Sequence, residues 1–94
     1  MTEMTAAQQR FEVILRDQAR VADAFAADAA GVVPDVAEHN TIAAAALRHT
    51  ADTFRMRMTR EELDDLEGMD DHQMRALARA IRGLAGQDEV DADP

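Results

Sequence analysis

Apolar and polar residues alternate with a helical period along almost the whole chain, and one segment carries that period twice. Between Val36 and Met58, at about 100° per residue, Val36, Ala43, Leu47, Phe54 and Met58 fall on one line. Ile42, Ala46, Thr53 and Met56 fall on a second line about a third of a turn away. A helix with two apolar sides is expected to be buried on two sides, which makes this segment the centre of the fold. Four consecutive alanines, Ala43 to Ala46, lie between Ile42 and Leu47. They let a neighbouring backbone approach closely and cost little side-chain entropy on helix formation.

The flanking patterns predict the remaining elements. Phe11, Leu15, Gln18, Ala22, Phe25 and Ala29 recur at helical spacing, with Ile14, Val21 and Ala26 beside them and Arg10, Glu12, Arg16, Arg20 and Asp23 opposite. This predicts a long amphipathic helix over about residues 6–30, with Thr5 as its cap and Gln18 tolerated at a partly exposed position of the apolar line. Gly31 and Pro34-Asp35 then predict a stop and a restart near Asp35. So short a connection implies an antiparallel hairpin, in which Phe11, Leu15, Ala22 and Phe25 meet Phe54, Leu47 and Ala43. Thr59 and Glu62 form a capping box that ends the central helix near Met58 and opens a short helix over 60–67, closed by Gly68. Asp70 and Gln73 repeat the device for a last helix over 71–85. Its apolar side, Met74, Leu77, Ala78, Ile81, Leu84 and Ala85, is the natural cover for the second stripe of the central helix, with Arg75, Arg79 and Arg82 on the other side. The expected fold class is therefore all-α: a long helical hairpin (about 6–30 and 35–58), a short helix (60–67) and a C-terminal amphipathic helix (71–85). Residues 1–86 read as one helical domain and 87–94 as an acidic, disordered tail.

Composition shows how thin that domain's core must be. Of 94 residues, 20 are alanine and only 24 are large and apolar, few for four helices. Burial completed by a second copy is a common remedy, and a homodimer is expected. The net charge is -9 with a pI near 4.5. That balance disfavours sequence-independent binding to nucleic acid or to an anionic membrane, both of which need a positive field, and permits a basic protein partner. All ten basic residues are arginine, a bias that with so much alanine points to a high-GC genome, actinobacterial or phage. Cysteine is absent, so disulfides and thiol chemistry are excluded. No signal peptide or membrane-spanning run is visible, and a cytoplasmic protein is expected.

Catalytic chemistry finds little support. Serine is missing as well as cysteine, removing the commonest nucleophiles, and the scattered glycines form no phosphate loop. His39, His49 and His72 never fall at the i, i+4 spacing that places two ligands on one metal; Asp35 with His39 and His49 with Asp52 are the nearest approaches. No enzyme activity, cofactor or metal is expected. The stretch from Arg60 to Ala80 resembles a DNA-binding helix-turn-helix in having a short helix, a turn glycine at Gly68, and Met69, Met74 and Leu77 at positions such a motif buries. Asp64 and Glu67 break the pattern, and Asp70, Asp71 and His72 would meet phosphates with the wrong sign. A helix-turn-helix DNA binder, or an acidic mimic of nucleic acid, is thus the alternative reading. The leading one is a small non-enzymatic module, phage-encoded or regulatory, that binds and modulates a cellular protein. Two surfaces suit that role. One is the second stripe with Ile42, His49, Thr53 and Met56; the other is an acidic knob from Glu61 to Asp71 that includes Glu62, Asp64 and Asp65.

Overall fold

Helix starts in this chain are set by one recurring device. In the computed structural model, which describes the backbone of residues 3–91 and the side chains of residues 3–84, Thr5 Oγ1 accepts the Gln8 N–H at 3.1 Å while Gln8 Oε1 accepts the Thr5 N–H at 3.2 Å. This reciprocal pair opens α1 (Ala6–Ala29). Thr59 and Glu62 do the same for α3 (Arg60–Glu67), at 3.1 and 2.8 Å. Asp70 and Gln73 do it for α4 (Asp71–Asp91), at 2.8 and 3.0 Å. Helix α2 (Pro34–Arg57) has no side-chain cap and begins on Pro34, whose missing N–H is one that a first turn leaves unpaired in any case.

The protein is all-α, with four helices and no strand among the described residues. Seven of the eight predicted helix ends agree to within a residue, but α4 runs to Asp91 instead of stopping at Ala85. The expected acidic tail thus has helical backbone from 87 to 91, and its residues 92–94 lie outside the described residues. Helices α1 and α3 stop at the expected glycines, and no described glycine has positive φ. The Val33 N–H bonds to the Ala29 carbonyl at 2.8 Å, and Pro34 follows immediately, so α1 stops without Gly31 adopting a special conformation. Gly68 ends α3 by donating to the carbonyls of Asp65 and Leu66, a tightened last turn in right-handed geometry.

Helices α1 and α2 form the antiparallel hairpin, each about 36 Å long. Their seam is built from Ala7, Phe11, Leu15, Ala19 and Ala22 against Ala43, Ala44, Leu47, Ala51 and Phe54, all buried. At its widest point the Phe11 and Phe54 rings meet edge to face, with centroids 5.2 Å apart at 89°. Solvent-side ion pairs join the same two helices: Arg16 reaches Asp52 at 2.7 Å, and Arg48 binds Asp23. Short α3 packs at the open end of the hairpin, burying Leu66 completely, while the Thr5 hydroxyl donates to Glu67 Oε2 at 2.6 Å.

Two expectations about packing fail. Helix α4 was the expected cover for the second stripe of α2; it lies instead along the groove between α1 and α2. Arg10 meets Asp71 at 3.6 Å, and Arg82 Nη1 donates to Gln18 Oε1 at 3.2 Å, so α4 runs parallel to α1. In the groove, Met74 and Ala78 are fully buried, because an apolar stripe laid over a seam touches two helices where a flank offers one. Second, Phe25 does not join the seam and is 52% exposed. Three residues past Ala22 is a turn of about 300°, which sets Phe25 some 60° off the Ala22 line.

Candidate protein-binding surfaces

The second stripe of α2 is only a partial surface. Ile42, Ala46 and Thr53 are half-buried, His49 is exposed, and Met56 is 81% exposed. Thr53 donates its hydroxyl to the His49 carbonyl at 2.8 Å, and Thr50 and Thr41 likewise bond the carbonyls of Ala46 and Ala37 at 2.8 Å. The threonine hydroxyls on this helix therefore spend their donors on their own backbone. Met56 is what remains for a partner to grip.

On α3 and its flanks all seven acidic residues are exposed, but they are not equivalent. Glu62 and Asp70 cap helices, Glu67 accepts from Thr5, and Asp71 faces Arg10. Each of these four has a structural partner. Glu61, Asp64 and Asp65 have none among the described residues. Asp70 and Asp71 also stand at the start of α4, where a recognition helix would present them to phosphates.

A third surface was not foreseen from the sequence. Between α2, α3 and α4 lies a cleft of about 530 Å³ whose walls are Phe11, Phe54, Met58, Met69, Leu77 and Ile81. The two phenylalanines are core residues and form its floor, whereas the methionines, Leu77 and Ile81 are half-buried and form its sides. Arg57 stands on the α2 lip, Glu62 and Asp65 on the α3 lip. The cleft exists because α3 is too short to cover the ground between the end of α2 and the middle of α4. Its sequence trace was slight: Met58, Met69, Leu77 and Ile81 exceed what the hairpin needs for its own seam.

Apolar surface is also left at the closed end of the hairpin, where Val21, Phe25, Val32, Val33 and Val36 are exposed, Val32 to 79%. Across the described residues eight large apolar side chains are exposed and seven are buried, five of them fully. Single exposed apolar residues are ordinary, but parity with the core is not.

The Arg48 guanidinium bonded to Asp23 holds that carboxyl below its usual range, and Asp23 in turn raises Arg48. Arg16 is raised chiefly by its bond to Asp52. No trio of His, Asp or Glu among the described residues could hold a metal ion, and no described helix is long and apolar enough to cross a membrane. No protein-family model, no curated protein and no solved structure matches the chain.

Proposed function

We propose that the protein is a non-catalytic helical interaction module, acting in the cytoplasm as a regulator that holds a segment of another protein in the α2–α3–α4 cleft. The observation that carries this reading is the cleft itself. It is a concave apolar surface of about 530 Å³, floored by rigid core rings and walled by adaptable side chains. Methionine walls re-pack around different apolar insertions at small cost, which suits a protein-binding groove. Serine and cysteine are absent from the chain, and the cleft's charged groups are one arginine and two carboxylates of α3. Glu62 of that pair is already engaged as a cap. Site-specific photo-crosslinking tests the reading. A benzophenone amino acid at position 69 should trap a partner protein, and Ile81→Asp should abolish the trapping. Trapping from position 56 alone would transfer the interface to the exposed flank of α2 and refute the cleft.

A second reading concerns assembly. The exposed valines and Phe25 at the closed end of the hairpin form an apolar patch, and two copies of such a patch satisfy each other. We propose that the chain pairs through this end as a homodimer, which leaves the cleft at the opposite end open in both copies.

A further inference from the structure

We propose that the occupant of the cleft is a cationic amphipathic helix, inserted with its basic flank against α3. This inference rests on the cleft being the binding site and adds the partner's chemistry and orientation. The fold has no described strand edge for an extended peptide to join, so a groove between helices is filled by helix packing. The groove's walls call for apolar side chains at one-turn spacing. Its lips are electrostatically unequal. From Thr59 to Asp71 the chain carries seven carboxylates against the single Arg60, and Glu62 and Asp65 of that segment stand on the cleft's edge. Of these two, Asp65 has no side-chain partner among the described residues, so a cation bound at that edge would complete it without breaking any contact that holds the fold. Arg57 on the opposite lip repels a second basic flank and fixes which way round the helix lies.

The test uses the full chain and two synthetic peptides of about 18 residues, long enough to hold a helix in isolation. Both carry leucine at i, i+3, i+4 and i+7; one has arginine along a single flank and the other has glutamate there. Binding is read by fluorescence anisotropy of the labelled peptide and by methyl spectra of ¹³C-methionine-labelled protein. The arginine peptide should bind roughly tenfold or more tightly than the glutamate peptide at low salt, and raising salt to about 0.5 M should shrink that gap. The Met58 and Met69 methyls should shift while that of Met56 stays put. Asp65→Lys should weaken the arginine peptide several-fold with no change in melting temperature. Equal affinity of both peptides, with Met58 and Met69 shifting, would overturn the charge inference and leave the cleft reading standing. Binding of the arginine peptide that leaves both methyls unmoved would overturn the inference as attraction to the acids alone. If neither peptide binds, the inference and the cleft reading fall together.

Discussion

Replacing Phe54 with alanine tests the central packing claim most directly. Phe54 is 2% exposed, meets Phe11 edge to face at 5.2 Å, and lies where α2, α1 and the cleft converge. Truncating a buried phenylalanine costs about 3 to 5 kcal/mol, to which loss of the ring pair contributes about 0.5 to 1.5. The cleft moderates this figure, because water and the methionine walls can relax into the vacated volume, so about 3 kcal/mol is expected. A chain of 94 residues has a total stability of roughly 5 to 14 kcal/mol, and half of its fully buried hydrophobic residues are alanine, which favours the lower end. Each kcal/mol moves the midpoint of a domain this size by about 4 to 8 °C, so Phe54→Ala should lower it by at least about 12 °C. Circular dichroism at the helical band, in heat and in urea, measures this. Met56→Ala is the internal control, since a residue that exposed should change stability by no more than about 0.5 kcal/mol. If the two variants melt within a few degrees of each other, the Phe11–Phe54 seam is not what holds the hairpin.

Gly83 lies inside α4 with ordinary helical geometry, and a Cβ there would meet nothing within 4 Å, so Gly83→Ala should raise stability by about 0.5 to 1 kcal/mol; a drop in melting temperature would contradict the helix at that position. The Asp23 carboxyl should titrate below the ordinary aspartate value of 3.8 in NMR, and return towards it in Arg48→Met. Because its folded pKa is depressed, the stabilisation from this exposed pair is present above the unfolded value and fades as pH falls through the folded one. An unchanged titration in Arg48→Met would dissolve the pair. Light scattering at micromolar concentration should give twice the chain mass, and Phe25→Glu should return it to the monomer; a wild-type monomer mass at every concentration would dispose of the dimer.

The sequence by itself determined the local structure, because local structure here follows from short-range chemistry. The reciprocal caps at Thr5, Thr59 and Asp70 depend on residues three apart, and the stripes of α1 and α4 depend on a fixed helical repeat. The hairpin was legible for the same reason, given a short link and the aromatic pair Phe11 and Phe54. The places where sequence reasoning failed are those where a residue's fate depends on how helices sit against one another. Periodicity names the apolar sides of α2 but not which of them a third helix will choose, and α4 took the α1–α2 groove, where its buried Met74 and Ala78 lie over two helices. That choice left Met56 outside and made Gln18 an acceptor for Arg82, while Phe25, some 60° off the Ala22 line, stayed off the seam. The acids of α3 and its flanks looked alike as a run of letters, yet tertiary contacts assign Glu67 to Thr5 and Asp71 to Arg10 and leave Glu61, Asp64 and Asp65 without a side-chain partner among the described residues. The cleft is the extreme case. It is made of space between three helices, and no period along a single one encodes it.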